Sequence, residues 1–422
     1  MYMQDTNNTH NTPESNKQQT SKSPPYLNKQ INDQESSFYT TQFGLLCLSS
    51  FLFFSSFSMI LAELPSFLTS LGGKEYKGLI IALFTLAAGL SRPFSGKLTD
   101  TIGRIPIIVF GAVVCFLTGF LYPLLLTVGG FLFIRFVHGL STGFTPTGTA
   151  AYVADVVPIR KRGEAMGIFG LTNNIGTAIG PAFGSYIALH YPIQYMFYCS
   201  SGFAILSILI LIKLKETLPE KQRQPFRWSL LKINPKDIIE LRVVAPSVTL
   251  LLSVFSFGII LTIVPDFSDH LGIQNKGLFF TVFTLSSLGI RFVAGKVSDR
   301  FGRVPVIKAG AIIQLISMVI IGLATTPLTL MIGAVFFGIA VGIMSPTAFA
   351  WTIDLSQDHA RGRALATLYI ALEAGIGIGA LVSAWVFANN PANFPWTFWL
   401  GGFSALAAFL YLQFGVKQEH MT

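Results

Sequence analysis

The chain has 422 residues, a formal net charge of +9, and 51% hydrophobic but only 12% charged residues. A soluble domain carries roughly twice that share of charge, so the composition excludes a water-soluble enzyme and a disordered protein. The three cysteines, Cys47, Cys115 and Cys199, are odd in number and set in apolar runs, which excludes a disulfide framework and a paired-cysteine metal site.

Residues 1–38 are rich in Asn, Gln, Ser, Thr and Lys and are expected to form a disordered cytoplasmic tail. The first apolar run is long enough to span a membrane, and no cleavable signal peptide precedes it. Apolar runs bounded by turn and charge signals predict spans near 40–63, 77–95, 106–126, 129–153, 164–188 and 195–214. A charged linker, 215–243, follows, in which Trp228, Leu230 and Leu231 are expected to touch the lipid headgroups. Six more spans are predicted near 244–264, 277–294, 305–325, 328–352, 364–388 and 396–415, and residues 416–422 form a second tail.

On this map, 39–214 and 244–415 are two six-helix bundles of an all-α membrane protein with both termini on one side. Of the 29 Lys and Arg residues, only Lys74, Lys77 and Lys276 fall on the other side, with Arg135 counted inside a span. The positive-inside rule makes the termini's side cytoplasmic and the location the cell (inner) membrane. The basic charge is thereby assigned to topology, with lipid and not nucleic acid as the partner.

The halves are repeats. GKLTDTIGRIP from Gly96 recurs as GKVSDRFGRVP from Gly295, and the shift of 199 pairs Arg92 with Arg291, Asp155 with Asp354, Gly139 with Gly338 and Gly180 with Gly379. Upstream the shift is 200 and pairs Pro65 with Pro265. Two parallel repeats joined by a cytoplasmic linker suit a monomer whose halves rock about a central site.

With these motifs the sequence resembles the major facilitator superfamily over nearly its whole length after the tail. Gly96, Leu98, Asp100, Gly103 and Arg104 match the family's G-x-L-x-D-x-x-G-R loop, repeated at Gly295, Val297, Asp299, Gly302 and Arg303. The resemblance implies that this loop, with Arg92 just before it, acts as a conformational switch through contacts between halves. Gly167, Gly176, Gly180, Pro181 and Gly184 are similar to the antiporter motif of the drug-and-proton exporters, with Ser185 replacing its last glycine. Span 11 keeps Gly375 and Gly379 but has Ala380 where span 5 has Pro181. Arg135 opens a segment resembling the exporters' R-x-x-Q-G motif, with His138 in the glutamine position and Arg135 ~9 Å in from the outer surface.

Glu373 falls nine residues into span 11, ~14 Å deep. A carboxyl at that depth is the foremost candidate to load and release a proton near neutral pH, followed by Glu63, expected near Arg135, and by His138. Helices 1, 4, 7 and 10 line the cavity in the superfamily, which implies cavity roles for Phe57, Phe136, Phe257 and Phe337, with Asn174, the neutral repeat partner of Glu373, beside them. An aromatic lining with one buried arginine suits a lipophilic or amphipathic solute better than a phosphorylated or dicarboxylate one. The segment Gly289 to Lys296 has one residue too many for a phosphate loop, and Val297 stands where a Ser or Thr would hold magnesium, so no nucleotide, other cofactor, metal or enzyme chemistry is expected. The expectation is a secondary active transporter, a proton-coupled antiporter exporting small lipophilic molecules. A proton-coupled uptake symporter for a small solute such as a sugar or metabolite is the alternative, and whether sodium takes the proton's place is left open.

Overall fold

The computed structural model describes residues 40–158, 161–232, 239–357 and 361–416. The expected tail at 1–38, the last residues of the second tail and part of the linker lie outside them. Twelve α-helices of 17 to 29 residues run through the described residues, without a strand. They are α1a (Thr41–Met59), α2 (Lys77–Thr101), α3 (Arg104–Leu121), α4 (Val128–Val156), α5 (Arg162–His190), α6 (Ile193–Leu211), α7 (Val244–His270), α8 (Leu278–Phe301), α9 (Arg303–Gly322), α10 (Pro327–Leu355), α11 (Arg361–Phe387) and α12 (Phe394–Leu410). A short helix, α1b (Leu64–Ser70), continues the first span.

Among the described residues, nine helices are long and apolar enough to cross a membrane. Helix α8 is a tenth when its 47° bend between Arg291 and Val293 is counted within one span. The two left out are α4 and α5, diluted by Gly, Thr, Asn and, in α4, by Arg135 and His138. They are the helices that carry the exporter-like motifs.

The expected span 40–63 breaks in the structure. Helix α1a stops at Met59 and the chain turns before α1b. Pro65 lacks the N–H that would continue the ladder and sits instead in the first turn of α1b, where that donor is not needed. Its repeat partner Pro265 lies inside the unbroken α7.

Packing repeats in the two halves: α1a on α5 and α6, α2 on α4, and α3 on α4 and α6, matched by α7 on α11 and α12, α8 on α10, and α9 on α10 and α12. Small residues bring the helices close. Gly139 lies so near α2 that a Cβ would come 2.1 Å from the Phe84 carbonyl oxygen, and at Gly338 the distance to that of Phe283 would be 2.2 Å. Serines cross-link α1a to α6, with Ser49 and Ser207 Oγ atoms 2.8 Å apart and Ser56 donating to the Ser200 carbonyl at 2.7 Å. The halves meet along two related seams, α2 on α11 and α5 on α8.

Candidate functional site

Both repeated loops lie at the molecule's basic side. Gly103 and Gly302 take φ of +139° and +88°, which a side chain would strain. Each loop's arginine holds two carboxylates of its own half. Arg104 is 3.3 Å from Asp100 and 2.9 Å from Asp155, while Arg303 pairs with Asp299 and lies 2.8 Å from Asp354. In this conformation Asp100 and Asp299 make no polar contact with the opposite half among the described residues.

Sequence reasoning missed Glu216. Its carboxylate accepts from the backbone N–H groups of Arg104 and Ile105 at 3.0 and 2.8 Å, capping α3 where the helix dipole favours an anion. No second-half counterpart exists, since the shift of 199 leads to Gly415. The linker stays against the first half: Lys97 Nζ donates to the Lys232 carbonyl at 2.8 Å, and Leu230 and Leu231 pack near Leu98, Ile107 and Phe144. Of the three side chains expected at headgroup level, only Trp228 is fully exposed, at 78%. At the linker's far end Arg363 donates to Glu240 at 2.5 and 2.9 Å and holds that carboxyl below the usual carboxylate range.

Arg92 lies nine residues, ~14 Å, inside the basic-side end of α2. It is therefore not part of the loop with which the motif groups it. Its Nη2 is 3.2 Å from Glu373 Oε1 of α11, and its guanidinium sits 4.1 Å over the Tyr369 ring. Glu373 is 8% exposed and twelve residues from the start of α11, ~18 Å along its axis. This ion pair bridges the halves at mid-helix. Beside it a cavity of about 740 Å³ opens in the α2/α11 seam, walled by residues such as Leu83, Leu86, Leu90 and Ile378, with Thr85 and Glu373 as its polar members.

Glu63 does not meet Arg135. It accepts from Ser185 Oγ at 2.6 Å and lies 3.6 Å from Lys276 of the second half, which also contacts Ser66 at 2.6 Å and Asp269 at 2.8 Å. Ser185 further accepts from the Gly277 N–H at 3.1 Å, so the residue that replaces the motif's last glycine joins the halves. Gly277 rests on Pro181 so closely that a Cβ would come 2.1 Å from its carbonyl. Lys77 pairs with Asp266 at 2.6 Å on the same side. The polar ties between halves lie at mid-helix and away from the basic side.

Arg135 is fully buried within the first half and in no ion pair among the described residues. Its Nε donates to the Ile80 carbonyl at 2.9 Å, Nη1 lies 3.4 Å from Tyr122 Oη and from His138 Nδ1, and the guanidinium caps the Phe84 ring at 4.3 Å. His138 is equally buried, between Tyr122 at 3.2 Å and Cys115 at 3.4 Å. Of the antiporter-motif glycines, Gly176, Gly180 and Gly184 press on α1a, while Gly167 has open space around it. Gly375 and Gly379 of α11 press on α7 in the same way, so close packing is common to both halves.

Of the expected cavity residues, Phe57 stacks on Phe84 with centroids 6.2 Å apart, and Phe136 and Phe257 are part-exposed. Phe337 is 0% exposed and belongs to the second half's core, contrary to a cavity position. Asn174 gives its amide to the Gly170 carbonyl at 2.7 Å. The expectation of a single arginine inside a span is also corrected. Arg92 and Arg291 both lie well within their helices, because α2 and α8 run on to Thr101 and Phe301.

The family profile described as Major Facilitator Superfamily matches residues 46–274 and 246–420. Multidrug resistance protein 2 of Bacillus subtilis is 27% identical over 351 residues, covering 79% of this chain and 84% of the relative. The multi-drug resistance efflux pump PmrA of Streptococcus pneumoniae is 26% identical over 311 residues, covering 70% and 77%. A D-xylose–proton symporter shares the fold with a TM-score of 0.73 at 18% identity, covering 89% of this chain and 97% of that one. The repeated loop, the two six-helix halves and the matched profile give one conclusion: the chain belongs to the major facilitator superfamily of membrane transporters.

Proposed function

We propose that this transporter is a proton-coupled antiporter that exports small lipophilic or amphipathic molecules from the cytoplasm. It works as a monomer in the cell membrane with its termini and basic side cytoplasmic. The observation that carries this reading is the Arg92–Glu373 pair across the α2/α11 seam. The ionised carboxyl ties the two halves together at mid-membrane. A proton on Glu373 cancels the attraction, releases Arg92 and shifts the balance between the two rocked states. Loss of that proton to the opposite side restores the tie, so proton flow and rocking are one cycle.

The polar ties away from the basic side close that face, which leaves the cytoplasmic face as the entrance in this conformation. The apolar seam cavity supports a lipophilic cargo. The names of the two bacterial relatives support export.

The test is a solute screen in inverted membrane vesicles carrying an imposed pH gradient. Accumulation of lipophilic dyes driven by an acidic lumen is the expected result. Uptake driven in the opposite sense would make the protein a symporter, and dependence on a sodium gradient alone would remove the proton. Cysteines at Lys74 and within the linker sharpen the topology, since an impermeant reagent should reach the first from outside and the second from the cytoplasm.

A further inference from the structure

The repeat puts one arginine in each seam, and only one of them has a partner. Arg92 meets Glu373. Arg291 corresponds to it in α8, ten residues and ~15 Å from the end at Phe301, where the helix bends by 47°. The residue of α5 that corresponds to Glu373 is Asn174, which is neutral and already bonded to the Gly170 carbonyl. Arg291 makes no hydrogen bond or ion pair with any described residue, and its Nε is buried without an acceptor. Asn173 Oδ1, next to Asn174 on α5, is buried and unpaired too, while Ser287, one turn before Arg291, packs against Gly342 of α10. The arginine of the α5/α8 seam thus has no partner among the described residues, whereas that of the α2/α11 seam, whose Nε is likewise buried without an acceptor, has its ion pair with Glu373.

A guanidinium keeps its charge at any physiological pH, and at membrane depth it demands a counter-charge or water. Arg135 is wholly enclosed with a carbonyl, a phenol and an aromatic face as partners, although its Nη2 is buried without an acceptor. Arg291 has none of these among the described residues and is part-exposed rather than enclosed.

We propose that Arg291 anchors the acidic headgroup of the cargo, a single carboxylate or sulfonate on an apolar body. The fork of N–H donors matches such a group bidentately. The cargo then makes in the second seam the pair that Glu373 makes in the first. One uncompensated guanidinium selects a monoanion, since a phosphate or dicarboxylate would bring a second charge with no cation to meet it. The proposal names the cargo class within the export reading, but binding to Arg291 does not depend on the direction of transport.

The test is equilibrium binding of 1-naphthylacetate and 1-naphthylmethylammonium, which share an apolar body, to the full chain in detergent. The anion should bind at least about tenfold more tightly, a difference of one well-placed charged contact. Arg291→Gln should erase the preference, and so should Asn174→Glu, which supplies the missing carboxylate from within. Where Arg291→Gln fails to fold, the wild-type preference and the Asn174→Glu variant decide. Equal or tighter binding of the cation, or an anion preference untouched in a folded Arg291→Gln protein, overturns the proposal. Displacement of naphthylacetate by chloride at fixed ionic strength assigns the arginine to an inorganic anion and overturns it as well. In vesicles the two readings separate. Gradient-driven export of the cation without the anion sinks the anion site alone, and anion-selective binding without gradient-driven movement sinks export alone.

Discussion

The two halves share their packing and differ in their chemistry. Gly139 and Gly338, Gly180 and Gly379, and the loop triads around Arg104 and Arg303 occupy matching places with matching contacts. The ionisable groups at membrane depth do not match. Glu373 faces a helix pair whose repeat offers Asn174, Arg135 and His138 correspond to Ala334 and Phe337, and Glu63 corresponds to Ile263 in the unbroken α7. The repeated glycines keep the packing alike in both halves, and on the proposed function it is the unrepeated charges that give transport its direction. A machine with both halves identical would have no reason to prefer one gradient or one cargo.

The comparison predicts its largest separation of function from stability at Arg135. Arg135→Met removes a buried charge in no ion pair, so the thermal midpoint should hold or rise, because apolar replacement of buried charge is often stabilising. Transport should fall by more than about tenfold, the equivalent of ~1.4 kcal/mol of lost stabilisation along the cycle. A destabilisation beyond about 2 kcal/mol would make the guanidinium a structural strut, like any misfit in a packed interior.

Next come the packing glycines. Gly139→Ala and Gly338→Ala each force a Cβ against a carbonyl and should each cost about 1–3 kcal/mol, by overpacking. Thermal unfolding of both variants tests the symmetry, and a cost confined to one half would break it.

Smaller again is the effect of restoring the motif's glycine. Ser185→Gly removes the donor to Glu63 and the acceptor for Gly277, a loss of about 1–2 kcal/mol from two buried hydrogen bonds. The population should shift several-fold toward the state open opposite the basic side, read by spin-label distances between α1b and the loop before α8. An unchanged distance distribution would reduce Ser185 to a packing residue.

The least change in stability is expected at Asp100, whose side chain is 73% exposed. Asp100→Asn should alter folding by less than about 0.5 kcal/mol, as for most surface pairs, while slowing turnover through the other conformation. Normal turnover at matched expression would leave Asp100 a solvated turn residue. The Glu240–Arg363 contact gives a pH signature of similar subtlety. A depressed carboxyl favours the docked linker above its unfolded pKa and loses that contribution as pH falls through the folded value. Linker docking, followed by a fluorophore at Trp228→Cys, should therefore persist below the ordinary carboxylate range of ~4.3. Release above that range would contradict it.

Much of this was legible in the sequence. The repeat, the turn glycines and the candidate carboxyl Glu373 follow from residue type and spacing alone. What the sequence could not deliver were partners that meet across the halves. Lys276 lies far along the chain from Glu63, and no period links them. Arg92 sits four residues before a loop motif, near the end of the expected span 77–95, and only the further length of α2, to Thr101, places it at depth. The break before α1b was hidden for a related reason, since Pro65 and Pro265 look equivalent and only the surrounding packing decides which one interrupts a helix. Helices α4 and α5 were placed from apolar runs and turn signals, although they are the two whose hydropathy is weakest.

The central claim is that Glu373 carries the exchanged proton, and cargo-induced proton release in detergent tests it most directly. With a solute that the vesicle screen shows to be exported, wild-type protein should release protons in a pH-dependent manner, and Glu373→Gln should bind the same solute and release none. Proton release with the same profile from both proteins would contradict the account and move the coupling to Glu63 or His138.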